Sequence, residues 1–222
     1  MQRIVLVGFA GSGKNTVGDY LVEHHGYVGL SFADALKDTL ASVFCWDRAA
    51  LEGITAESRQ WRETDDPWWA NKLGIPEFTP RYAMQRVGTD LFRRHFNPDV
   101  WINNVERRIL DLGNQKIVVM DGRFPNEINL VTNKLDGTSI RVKRGPEPEW
   151  WDLALRANDT SRHMSIEVLR EVIEKKPSVA QQLKTLNVHP SEYSWIGHPI
   201  DITLDNDTTV EDLKAKVDAL IR

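Results

Sequence analysis

The sequence predicts an α/β fold in which a parallel sheet of about five strands is covered by helices on both faces. Three observations predict it. The β-branched run Arg3–Val7 (RIVLV) ends in glycines and opens a helical pattern. A second run of the same kind, Lys116–Met120 (KIVVM), ends in a carboxylate. Strands then alternate with helices along most of the chain. Continuous apolar runs of this length mark strands buried on both faces. Alternation with helices requires right-handed crossovers, which lay helices against both sides of the sheet.

The elements follow in order. From Lys14 to His25 the period is helical, with Val17, Leu21 and Val22 on one face. Tyr27 to Phe32 reads as a strand and Asp34 to Phe44 as an amphipathic helix. Residues 46–80 break both periods with Gly53, Pro67, Gly74, Pro76 and Pro80, and carry Trp46, Trp61, Trp68 and Trp69, so they read as an insertion. Arg81–Arg94 and Val100–Leu112 read as helices, Asn126–Lys134 as the helix after the second core strand, and Ser139–Val142 as a strand. Residues 145–199 are irregular except for a helix expected over Ser165–Lys175. Ile200–Leu204 is the last strand and Thr208–Leu220 the last helix, capped by Thr208 or Thr209 ahead of Glu211 and Asp212. One domain is expected, with its core in residues 1–45, 81–144 and 200–222.

Composition excludes several functions. A formal charge of -4 gives no global cationic surface for a nucleic acid polymer, so any anion must be met locally. Cys45 is the only cysteine, which excludes an internal disulfide and fits a reducing, cytoplasmic setting. Ile4–Val7 is too short for a signal-peptide core, and no stretch approaches a membrane span. His24, His25, His95, His163, His189 and His198 show no zinc-type spacing.

The strongest motif is Gly8–Thr16, GFAGSGKNT, the G-x-x-x-x-G-K frame of a phosphate-binding loop, or P-loop. Gly11 and Gly13, with Ser12 between them, let backbone N–H groups converge on phosphate oxygens. Lys14 adds a point charge, and the following helix points its positive end at the same anion. The frame follows a strand, opens a helix and begins at residue 8, which makes the fold a P-loop NTPase type. Asn15 stands where the general motif has Ser or Thr for Mg²⁺, and Thr16 comes next. Gly11, Ser12, Gly13, Lys14, Asn15 and Thr16 are therefore the expected ATP-binding residues, with Thr16 and Asp121 as the expected Mg²⁺ contacts. A competing signature, Asn133-Lys134-Leu135-Asp136, spells the guanine-reading N-K-x-D of GTPases. It follows a helix and a polar turn instead of ending a buried strand, so it is read as accidental.

Three further pieces are more specific: MQRVGTD (Met84–Asp90), Trp101-Ile102 and DGRFPNE (Asp121–Glu127). SFADALK (Ser31–Lys37), Arg62-Glu63-Thr64, His189-Pro190-Ser191-Glu192 and DITLDND (Asp201–Asp207) accompany them. In this order they resemble the deoxynucleoside monophosphate kinases of bacteriophages. The resemblance implies transfer of the γ-phosphate of ATP, with Mg²⁺, to a deoxynucleoside monophosphate. It makes residues 46–80 a nucleoside-monophosphate-binding insertion and 145–199 a lid. It implies acceptor contacts from Lys37, Arg62, Arg81, Arg123 and Glu127, and a contact of Asn206 with the ATP base; by its own residue type Glu127 also reads as a solvated helix charge. Among the substrate-binding candidates, Trp101 reads either as stacking on the base or as filling the core, and Gly88 as a turn glycine that allows close backbone approach. A homodimer, and a host-cytoplasm location for a phage-encoded protein, are compatible with it.

Two polyanions must meet in such a site, so it needs cations more than a base. A nucleotide phosphate has a second pKa near ~6 and is already a nucleophile at neutral pH. Lys14, Arg123 and a lid arginine are the expected catalytic cations. Arg144 is the first candidate for the lid position and Arg156 and Arg162 follow. Between Arg144 and His189 the chain carries an insertion of roughly 40 residues, by its spacing, that departs from the family pattern. One alternative keeps ATP but phosphorylates an alcohol, with Asp34 as general base. Another is a nucleotide-binding regulator without turnover.

Overall fold

The computed structural model describes residues 1–159, 179–186 and 188–221. The helix expected over Ser165–Lys175 and the lid candidate Arg162 lie outside the described residues. The chain divides into two compact units, Met1–Gly29 with Asn114–Arg222, and Leu30–Gly113.

The first unit is built on β1 (Arg3–Val7), β2 (Tyr27–Leu30), β3 (Lys116–Gly122), β4 (Thr138–Lys143) and β5 (Ile202–Asp205), ordered β2-β3-β1-β4-β5. β1 pairs in parallel with both β3 and β4, and β4 with β5, in a register that sets Ile4 opposite Val118, Leu6 opposite Ile140 and Val142 opposite Leu204. The five-stranded parallel sheet expected from the two apolar runs is therefore present. β-strand alternation sends Ile4 and Leu6 to one face. There they pack with Val17 and Leu21 of α1 (Lys14–His25) and with Leu213 and Val217 of the last helix (Val210–Ile221). Val5 and Val7 are equally buried on the opposite face, along which the helix opening at Pro125 runs. Expected and observed bounds differ at the ends: the strand at 27 stops at Leu30, and β3 continues to Gly122.

The second unit opens with α2 (Asp34–Phe44). The stretch 46–80 is not irregular throughout. It holds a 3₁₀ turn (Ala50–Glu52), α3 (Ala56–Arg62) and α4 (Pro67–Leu73). Thr55 caps α3 and Asp66 caps α4, with Pro67 in its first turn, where a missing N–H costs nothing. Trp46 stacks on Phe44 at 4.6 Å between centroids and donates from Nε1 to Asp66 at 2.8 Å; Trp69 donates to the Phe44 carbonyl at 3.0 Å. Leu40, Leu51, Phe78 and Ala83 form a core of this unit; Trp46, Trp61 and Trp69 are half-buried and pack around it, while Trp68 is largely exposed. Helices α2, α5 (Pro80–Gln85) and α6 (Val100–Leu112), read from sequence as core, thus group with 46–80.

Two helices change type along their length. α5 passes into a π-helix over Arg86–Phe96, and α7 (Pro125–Asn129) into one over Leu130–Lys134. The sequence predicts continuous α-helix at both places, since the apolar period hardly separates the two forms. Within 145–199 the chain forms α8 (Trp151–Asn158), α9 (Val179–Thr185) and α10 (Pro190–Tyr193), and α11 is the last helix (Val210–Ile221). No helix among the described residues is long and apolar enough to cross a membrane.

Candidate functional site

Between β1 and α1 the chain turns through three left-handed glycines, Gly8 (φ 135°), Gly11 (φ 76°) and Gly13 (φ 103°). A Cβ on Gly8 would run into the Val142 carbonyl, and one on Gly13 would lie 2.5 Å from Asn206 Nδ2. Close backbone approach, as well as φ, requires glycine at these two positions. Asn206, just past β5, is buried and donates from Nδ2 to the Ser12 carbonyl at 2.9 Å, while its own N–H donates to the Lys143 carbonyl at 2.7 Å. The structure thus commits this amide to bracing the loop. Ser12 is buried, and its Oγ is one of the few unpaired buried side-chain atoms among the described residues. Asn15 is exposed and Thr16 half-buried in the first turn of α1.

Lys14 folds back over the loop and donates to the Gly8 and Phe9 carbonyls, both at 2.7 Å. Its pKa is pushed down to about 8, first by burial and then by the Arg123 guanidinium, against the opposing pull of Glu192 and Asp121. Lys14, Asp121, Arg123 and Glu192 therefore share one electrostatic neighbourhood at the carboxyl ends of β1 and β3, where ligands of open α/β sheets bind.

Arg123 leaves β3 in a turn held from below. Glu127, 2% exposed, accepts the backbone N–H groups of Arg123 at 2.9 Å and Phe124 at 3.1 Å. Sequence offered Glu127 as an acceptor contact or a solvated helix charge; the structure makes it a buried anchor for the turn. Arg123 Nη1 meets Glu192 Oε1 at 2.7 Å and Ser191 Oγ at 3.5 Å.

Phe9 packs against Trp150, Trp151 and Trp195 with centroids 5.5, 6.1 and 5.2 Å away. Arg141 on β4 lies between Trp151 and Trp195, 4.6 and 5.0 Å from the two rings, and its Nη2 donates to both carboxylate oxygens of Glu147. Arg144, the first lid candidate, is exposed beyond the strand end, and Arg156 is exposed on α8.

In the second unit, Lys37 pairs with Glu52 at 2.5 Å and Arg81 with Glu63. The Arg62 guanidinium lies against Gly53, where a Cβ would overlap it, and its Nε is buried without a partner. Burial, then Arg81, lowers the Arg62 pKa from its usual value. Trp101 is 6% exposed, donates from Nε1 to the Gly88 carbonyl at 3.0 Å and packs on Phe92 at 4.9 Å. It fills the core of this unit. Gly88 is buried, and a Cβ there would lie 2.6 Å from Leu36 Cδ2. Asp34 accepts from the Ser31 amide at 3.0 Å, from Arg108 at 3.1 Å and from Arg48 at 3.5 Å. Asn133–Asp136 ends a π-helix two residues ahead of β4, not a strand.

No family model matches the chain. A protein of Acanthamoeba polyphaga mimivirus named "Putative deoxynucleotide monophosphate kinase" is 30% identical over 155 residues, covering 65% of this chain and 75% of that protein. This chain belongs to the same kinase family. Among solved structures, shikimate kinase from Aquifex aeolicus aligns with a TM-score of 0.43 at 14% identity, covering 99% of this kinase and 95% of that chain. Dephospho-CoA kinase from Campylobacter jejuni aligns with a TM-score of 0.40 at 13% identity, covering 99% and 95%. Likenesses this loose do not bear on the reaction.

The fold of this kinase brings Lys14, Asp121 and Arg123 into one neighbourhood. It gives Asn206, Glu127 and Trp101 holding roles. Arg141, Phe9 and Glu192 were not singled out from sequence. Only the position of Glu192 in HPSE, three residues before the buried Trp195, could have flagged it.

Proposed function

We propose that this kinase transfers the γ-phosphate of ATP to a nucleoside 5′-monophosphate, and that its acceptor is a deoxynucleotide. The observation that carries the reading is the second cation beside the P-loop lysine, with Arg123 close enough to Lys14 to depress its pKa. A site for one triphosphate needs the loop and Lys14. A site where two phosphates meet needs a further guanidinium to offset their mutual repulsion. The deoxynucleotide preference is supported by the motif resemblance and by the name of the viral relative.

In this reading Gly11, Ser12, Gly13, Lys14, Asn15 and Thr16 bind ATP, and Lys14 and Arg123 neutralise charge on the transferring phosphoryl group. Lys37, Arg62 and Arg81 are assigned acceptor contacts, residues 46–80 acceptor binding and residues 145–199 the lid. Arg144 is kept as the lid arginine. Thr16 and Asp121 offer a hydroxyl and a carboxylate, the oxygen donors that suit a hard divalent cation. Among the described residues no group of three His, Cys, Asp or Glu side chains is placed to hold a metal ion by itself. Such an ion would supply charge neutralisation at the phosphates.

The alcohol-kinase alternative relied on Asp34 as a base, and that carboxylate is engaged by two guanidiniums and an amide, an arrangement for holding and not for proton abstraction. ADP production measured against a panel of nucleosides and 5′-monophosphates tests the proposal. Acceptor-dependent ADP with deoxynucleoside monophosphates is expected. Arg123→Ala should raise the acceptor KM and lower kcat while ATP binding persists. Turnover with free nucleosides alone would refute the reading, and so would wild-type kinetics in Arg123→Ala.

A further inference from the structure

The Arg123 guanidinium has five donors, and among the described residues only its Nη1 nitrogen is engaged, by Glu192 and Ser191. The partner carboxylate does not sit on a loose loop. Glu192 lies in α10, which Pro190 opens, and its own carbonyl accepts from Trp195 Nε1 at 3.0 Å. Trp195 is 2% exposed and packs on Phe9, the second residue of the phosphate loop, and on the Arg141 side chain. Glu192 is therefore fixed relative to the loop by a continuous run of packed rings. Its ion pair with Arg123 is about one-third exposed, so the pair contributes little to stability by itself. Direction is what it can supply.

We infer that Glu192 is a positioning residue for the transfer reaction: its carboxylate grips the Nη1 end of Arg123 and leaves Nε and Nη2 as the donors for a phosphate oxygen. A freely rotating arginine loses rotamer freedom each time it binds phosphate. One already clamped at its far nitrogen loses less. The carboxylate also offsets two adjacent cations, Lys14 and Arg123, in the absence of nucleotide, since it opposes the depression of the Lys14 pKa. This inference rests on the proposed function, in which Arg123 meets the acceptor phosphate.

The test is a double-mutant cycle of Glu192→Ala and Arg123→Ala, with Glu192→Gln as the conservative variant. Initial-rate kinetics, ATP binding and thermal melting are read for each. Glu192→Ala should lower kcat by about tenfold to a hundredfold, as expected for a misaligned group. ATP affinity should stay within about twofold of wild type. Glu192→Gln, which keeps an acceptor oxygen but no charge, should fall between the two. In the Arg123→Ala background, Glu192→Ala should cost nothing more, because the group it positions is gone. Additive losses, or a kcat loss matched by a large fall in melting temperature, would mean a merely structural role and overturn the inference. Unchanged kcat with a lower acceptor KM would overturn it too, since Glu192 would then compete with the phosphate. If Arg123→Ala is impaired and Glu192→Ala is not, only this inference fails. If Arg123→Ala itself behaves as wild type, the proposed function fails first.

Discussion

Asn206→Ala is the sharpest test of how the phosphate loop is held. The substitution removes the donor to the Ser12 carbonyl and leaves that oxygen facing a cavity at a buried position. An orphaned buried carbonyl costs about 1–3 kcal/mol. At ~2–4 °C per kcal/mol for a chain of this size, the melting temperature should fall by about 2–12 °C. Ser12 lies between Gly11 and Gly13, so the same change loosens the N–H groups that would wrap a phosphate, and ATP affinity should drop by about tenfold, near 1.4 kcal/mol. Differential scanning fluorimetry with and without ATP, together with calorimetric titration of ATP and GTP, measures both effects. The melting temperature and both nucleotide affinities should decline in parallel. A variant that melts like wild type yet changes its preference between ATP and GTP would refute the bracing argument and return Asn206 to the base contact implied by resemblance.

Glu127→Ala should remove the acceptor of two backbone N–H groups, and at ~1.5–3 kcal/mol for each charge-assisted bond the loss should be about 3 kcal/mol or more. Its urea midpoint should drop and kcat should fall as the Arg123 turn loosens; an unchanged midpoint would contradict the anchor role. Lys14 has a folded pKa of about 8, below the ordinary lysine value of 10.5. The unfolded chain therefore holds the extra proton between those values, so the stability penalty is complete below about pH 8 and is relieved as pH rises toward 10.5. ATP should bind the protonated lysine, with affinity declining above about pH 8 and proton uptake visible as buffer-dependent binding enthalpy. Lys14→Arg should abolish the uptake, and a buffer-independent enthalpy in the wild-type protein would contradict the assignment.

The central sheet could be read from sequence because its strands are local and chemically one-sided. RIVLV and KIVVM tolerate no polar residue in their buried stretch, and the glycines after Val7 announce a turn that few other residues can make. Lys14, Asp121 and Arg123 were legible for the same reason, each falling at a fixed offset from a strand end. What escaped was everything decided by partners distant in sequence. Nothing near Phe9 announces three tryptophans from beyond residue 149, and nothing near Arg141 shows that two of them enclose it. From sequence Trp101 is equally a stacking ring or a core residue, and Asn206 is a base contact only by resemblance. The Gly88 carbonyl and the Ser12 carbonyl claim them instead. The two π-helical stretches were missed because their apolar spacing is nearly that of an ordinary helix.

The bond between Asn206 and Ser12 joins residues 194 positions apart. During synthesis the loop that should grasp a triphosphate leaves the ribosome well ahead of its brace. A nascent chain therefore carries an unsupported loop until β5 has emerged and paired with β4. Nucleotide can reward folding only once that pairing is made, which couples tight binding to closure of this edge of the sheet.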